Sequence, residues 1–175
     1  MSLEDQRQQR LRNLQSLSEA GFEAYPHRFE TSHSAAALRA AFPEREPGRA
    51  WDTPVTVAGR VTLLRPMGKV TFATLQDGSA RDDGARDGSA QDGGSVQAYF
   101  QRDALKNYAA LKRLDLGDWL EVSGTPFVTR TGELTVAAQR FRPLAKSLRP
   151  IPKEHFGLAD KEARYRQRYL DLLLS

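Results

Sequence analysis

The chain has 175 residues, 39% of them hydrophobic, with 26 Lys and Arg against 22 Asp and Glu, and no cysteine. That length suits one domain with appendages, and the lack of cysteine excludes a disulfide framework, a thiol nucleophile and a zinc–thiolate site. His27, His33 and His155 are scattered without metal-ligand spacing, no apolar run approaches membrane-spanning length, and Met1 opens onto SLEDQRQQR rather than an apolar signal. The expectation is a soluble, cytoplasmic protein without a membrane partner. The net charge of +4 is unevenly spread: residues 1–50 balance, 78–95 are acidic, and most of the positive excess lies in the second half. A basic surface interrupted by an acidic loop is compatible with nucleic acid and equally with an ordinary solvated exterior.

Leu3, Leu11, Leu14 and Leu17 recur at near-helical spacing and Gly21 follows as a stop, which predicts an amphipathic helix over 3–20. Arg7, Arg10 and Arg12 fall on or beside its polar side, where they either touch backbone phosphates or face water. Ser32 or Ser34 caps a short Ala-rich helix ending near Phe42. From Pro54 the apolar period changes to two, predicting strands at 55–61, 69–75 and 95–100, with a tight turn at Pro66-Met67-Gly68. A short helical stretch follows around 103–114, then strand segments at 119–124, 126–129 and 133–138.

The fold class expected is mainly β with flanking helices: a five-stranded Greek-key barrel of the OB-fold type, with a helix between its third and fourth strands. An SH3-like barrel would leave that helix unexplained. Three regions result: a helical segment 1–50, the barrel 51–143, and 144–175, where a basic linker precedes a helix over 160–174. Within the barrel, residues 78–94 contain five glycines and no large apolar side chain. They bury too little surface to offset ordering entropy, so a flexible hairpin insertion is expected. Its Asp82, Asp83, Asp87 and Asp92 lack the EF-hand spacing and terminal Glu of a calcium loop.

No phosphate loop, serine–histidine–acid set or marked pair of carboxylates is present, so catalysis by this chain alone is not expected. An OB-fold commonly binds single-stranded nucleic acid across its second and third strands. Phe72, in the second strand, offers a flat stacking surface, and Gln97, in the third, offers a donor and an acceptor to a base edge. Arg65 is suited to a phosphate or a base face, and Glu133 to a base N–H. Each alone is equally an ordinary core, strand-face or turn residue.

The runs Val57-Ala58-Gly59-Arg60-Val61, Arg65-Pro66-Met67-Gly68-Lys69 and Phe72-Ala73-Thr74-Leu75-Gln76-Asp77 resemble the N-terminal anticodon-binding domain of class II lysyl-tRNA synthetase. So do Val96-Gln97-Ala98-Tyr99, Leu114-Asp115-Leu116-Gly117-Asp118, Arg130-Thr131-Gly132-Glu133-Leu134-Thr135, Lys146-Ser147-Leu148-Arg149-Pro150 and the closing Arg164-Tyr165-Arg166-Gln167-Arg168-Tyr169-Leu170-Asp171-Leu172. The resemblance implies binding to the uridine-rich anticodon stem-loop of lysine tRNA, and not to DNA. It carries Phe72 over as the stack for the central anticodon base, with Arg65, Gln97 and Glu133 around its edge. Arg7, Arg10, Arg12 and Lys69 are candidates for the tRNA backbone. It further implies that ATP and Mg belong to a catalytic domain absent from this chain, and that the parent enzyme is a homodimer. The 78–94 insertion replaces a short turn of the family, beside the expected binding face. A second expectation is a free-standing regulatory or protein-interaction module that self-associates through Leu170, Leu172, Leu173 and Leu174.

Overall fold

In the computed structural model the described residues are 2–79, 94–150, 161–166, 168 and 169. Helix α1 (Leu3–Glu19) starts at a capping box in which Ser2 Oγ accepts from Asp5 N and Asp5 Oδ2 accepts from Ser2 N. Helix α2 (Ala35–Ala41) starts at Ser34, whose side chain accepts from Ala37 N. Five strands follow: β1 (Val55–Met67), β2 (Val70–Gln76), β3 (Ser95–Gln101), β4 (Trp119–Val128) and β5 (Leu134–Ala145). They close into a barrel in the order β1-β2-β3-β5-β4, antiparallel throughout except for the parallel β3–β5 pair. This is the OB-fold order the alternating pattern anticipates. A helical turn, α3 (Lys161–Arg166), is the described part of the predicted C-terminal helix. The leucines at 170–174 and nearly all of the 78–94 insertion lie outside the described residues.

Alternation sends Val57, Val61, Leu75, Phe100, Leu120, Val122 and Val136 into the interior, each at most 1% exposed. Burying a side chain of this kind contributes about 1.5–3 kcal/mol. Three local features differ from the sequence expectation. Pro66 and Met67 do not turn: they extend β1, opposite Thr71 and Val70, and Gly68, at φ +63°, heads a two-residue hairpin with Lys69. Past Arg60 the strand pairs only with β2, so the missing N–H of Pro66 costs no ladder bond on the other side. Segments 119–124 and 126–129 are one strand, with a register shift between Ser123 and Gly124. A Cβ on Gly124 would lie 1.9 Å from the Ala137 carbonyl oxygen, so only glycine allows β4 and β5 to approach this closely. The predicted helix around 103–114 is instead two 3-10 segments, Arg102–Ala104 and Tyr108–Arg113. Leu105, Tyr108, Leu111 and Leu114 are all buried, and their spacing of three fits the 3-10 period rather than the α period.

Helix α1 docks through Arg10, Asn13 and Leu17, not through a purely leucine stripe. The Arg10 guanidinium donates to the carbonyls of Ser147 (2.6 Å), Leu116 (3.2 Å) and Arg149 (3.4 Å). Arg10 is 9% exposed and its Nη1 is engaged by these carbonyls, so the structure places it in the docking face of α1 rather than on the polar side where a phosphate contact was expected. Asn13 donates to Asp115 Oδ2, which also accepts from the buried Lys146 ammonium. Lys146 reaches Asp118 Oδ2 at 2.6 Å as well, while Ser147 N donates to Asp118 Oδ1. Burial pushes the Asp118 carboxyl above the ordinary aspartate range, and Lys146 pulls against that shift.

Candidate nucleic-acid interface

The outer face of the barrel over β2, β3, β5 and β4 is built from two cross-strand rows. Arg65 opposes Phe72, which opposes Tyr99; Thr74 opposes Gln97, which opposes Thr135, which opposes Phe127. Phe72 and Tyr99 have ring centroids 5.2 Å apart at 57°, and Tyr99 and Phe127 are 5.7 Å apart at 75°. Such tilted and edge-on pairs hold one another while leaving ring surface toward solvent. These three rings, with Arg65, Met67, Gln97, Thr129, Arg130 and Thr131, line an open groove of about 540 Å³.

Gln97 is oriented from below. The hydroxyl of Thr135, fully buried beneath it, shares its proton between Gln97 Oε1 at 2.9 Å and the Glu133 carbonyl at 3.1 Å, the shorter bond turning the Gln97 amide nitrogen toward a ligand. Glu133, two residues ahead of Thr135, borders the groove without lining it. Its carboxylate is 3.3 Å from the Arg39 guanidinium of α2. Lys69 is exposed beside Asp103 at 3.9 Å, a pair worth little at such exposure. Arg7 and Arg12 lie exposed on α1, bonded to Glu4 and Gln9 respectively.

The structure therefore brings Arg65, Phe72 and Gln97 into one groove with Glu133 at its border, and separates Arg10 from them. Tyr99, Phe127, Thr135 and Arg39 were not singled out by the sequence. Tyr99 carries a local signal, since the alternation that exposes Gln97 exposes the residue two further on. Phe127 and Arg39 carry none, because their partners lie on other elements. Among the described residues no helix is long and apolar enough to cross a membrane, and no group of three or more His, Cys, Asp or Glu could hold a metal ion.

Strand order, closure and an aromatic groove across β2 and β3 define an OB-fold module. No protein-family model matches the chain. It is, however, 40% identical over 184 residues to the lysine–tRNA ligase of Deinococcus radiodurans, covering 99% of this chain and 32% of the relative. It is 44% identical over 171 residues to the lysine–tRNA ligase of Chromobacterium violaceum (95% and 31%) and 41% over 168 residues to that of Pelotomaculum thermopropionicum (95% and 29%). The chain is thus a homologue of the lysine–tRNA ligases, aminoacyl-tRNA synthetases of protein biosynthesis, and spans about a third of the length of these relatives.

Proposed function

We propose that the groove on the outer face of β2–β3–β5–β4 binds the anticodon loop of lysine tRNA. The observation that carries this is the Phe72–Tyr99–Phe127 ladder flanked by Arg65 and Gln97 in one open groove. Unpaired bases stack on such rings, and their edges are read by nearby polar groups. Phe72 takes the central base, Gln97 donates its free N–H to a base carbonyl, and Glu133 accepts from a base N–H. Arg65 contacts the edge of the central base or its neighbours, Lys69 meets the backbone close to the loop, and Arg7 and Arg12 meet it farther along the tRNA. The homology adds a reason for tRNA over other single strands, because the relatives are named for joining lysine to tRNA. On this proposal, ATP-dependent aminoacylation with Mg belongs to another domain of a longer, homodimeric enzyme, and the present module positions the tRNA for it.

The test is fluorescence anisotropy with a lysine tRNA anticodon stem-loop. Affinity should fall with salt, and Phe72→Ala should weaken binding by about 1–3 kcal/mol. Equal affinity of wild type and Phe72→Ala, or of loops with UUU and GGG anticodons, would sink the proposal.

A further inference from the structure

The parallel β3–β5 seam is short: Gln97–Thr135, Ala98–Val136 and Tyr99–Ala137 are its paired residues. Continuing that register by two residues would set Ser95 opposite Glu133, where the backbone ladder has ended. The gap is spanned by Arg39. Its Nη2 donates to the Ser95 carbonyl at 3.0 Å and to Glu133 Oε1 at 3.3 Å, and its Nε donates to the same carbonyl at 3.3 Å. A planar guanidinium fork can hold two acceptors in fixed relation, which a lysine cannot do.

Arg39 is itself held in place. Ala35 N donates to Asp77 Oδ2 at 2.7 Å, Ala36 N to Ser79 Oγ at 3.1 Å, and Ala37 N to Ser34 Oγ at 3.2 Å. Three free amides at the start of α2 are thereby tied, two of them to the chain just past β2. The helix cannot slide along the barrel without breaking these bonds, and Arg39 sits one turn further on.

We infer that Arg39 is a positioning residue that makes the groove selective for uridine. This rests on the anticodon-binding proposal. Uracil and cytosine each present a donor beside an acceptor, but in opposite order along the edge: N3–H beside the O4 carbonyl in uracil, an unprotonated N3 beside an amino group in cytosine, so only a donor and an acceptor held in fixed relation tell them apart. Gln97, with its oxygen engaged by Thr135, offers a donor; Glu133, with Oε1 engaged by Arg39, keeps Oε2 as an acceptor. Arg39 fixes the second of these against the first, because it clamps Glu133 to the main chain two residues from Gln97.

The experiment compares anticodon stem-loops that differ only in a central uridine or cytidine, using the full chain as wild type, Arg39→Met and Arg39→Lys, each at several salt concentrations. Arg39→Met should lose about tenfold of the uridine preference, the value of one base-edge hydrogen bond, with an unchanged salt slope. Arg39→Lys should fall between the two. If Arg39→Met does not fold, Arg39→Lys carries the test alone. An unchanged uridine-to-cytidine ratio in the variants overturns the inference. So does an unchanged ratio with a salt slope reduced by about 0.7, which would make Arg39 a direct phosphate ligand. A wild type that binds neither loop, or both equally, overturns the anticodon proposal itself.

Discussion

The Lys146 ammonium lies 2.6 Å from Asp118 Oδ2, and both side chains are at most 2% exposed. Removing one partner of a buried pair leaves the other charged and unsolvated, at a cost of about 3–5 kcal/mol. Lys146→Met should therefore destabilise by that amount near neutral pH, measured by urea unfolding. The pH dependence has a definite sign. Because burial raises the Asp118 pKa, the unfolded chain has released this proton at a pH where the folded chain still holds it. The contribution of Asp118 is thus greatest in acid and declines as pH rises through the folded pKa. Lys146 holds that pKa down, so its removal extends the decline to higher pH, and the gap between wild type and variant should widen as pH rises above the ordinary aspartate pKa of about 4. A constant gap would show that Asp118 ionises as freely without Lys146.

Two glycines of the barrel should rank predictably. A Cβ at Gly124 would lie 1.9 Å from the Ala137 carbonyl oxygen, and one at Gly59 would lie 2.9 Å from that of Gln76. Both obstacles are backbone, which yields only by moving a strand. Gly124→Ala should cost at least about 1–3 kcal/mol, and Gly59→Ala less. Thermal unfolding decides the order, and the reverse ranking would contradict the close β4–β5 approach.

Arg10 and its neighbours on α1 should separate cleanly. Arg10→Met leaves three carbonyls without their charged donor and should cost about 1.5–3 kcal/mol, yet leave the salt slope of tRNA binding alone. Arg7→Ala and Arg12→Ala should do the opposite. Stability stays within about 0.5 kcal/mol, and freeing one phosphate from its arginine lowers the slope by about 0.7–0.9. Salt titrations and denaturation curves on the same three variants read both effects.

The three rings should act as a unit. Tyr99 touches both Phe72 and Phe127, so Tyr99→Leu unsupports two stacking surfaces at once. Its effect on stem-loop binding should exceed that of Phe127→Ala, and Phe72→Ala made on top of Tyr99→Leu should cost less than in the wild type. Strict additivity in that cycle would mean that each ring binds independently.

The barrel was legible because period-two alternation survives in 55–61, 69–75 and 95–100, and because Ser34 and Gly21 mark helix ends by chemistry local to the chain. What escaped is non-local. Arg10 looks like a surface residue until the carbonyls of Leu116 and Ser147, 106 and 137 positions away, fold back onto it. Arg39 meets Glu133 across 94 positions, and no periodicity links them. The 3-10 geometry of Tyr108–Arg113 is an intermediate case: spacing of three was present in the sequence, but one turn more or less of helix is a small energetic choice that tertiary packing makes. Of the groove, Phe72, Gln97 and Arg65 could be proposed from residue type and strand position, whereas the rings that support Phe72 depend on which strands become neighbours.

The β3–β5 seam also bears on how the molecule folds. Gln97 and Thr135 are 38 residues apart, and parallel pairing must wait until β4 and the 3-10 segments between them have crossed the barrel. Pairings of such separation form slowly, because chain entropy is spent before they reward it. The antiparallel hairpin β1–β2 and the β4–β5 pair, both local in sequence, are expected to form first, and the barrel to shut later through this seam and the β1–β4 pairing, whose partners Val55 and Gly124 lie farther apart still. Until it shuts, β3 offers an unpaired edge to other chains, so refolding yield should fall as protein concentration rises.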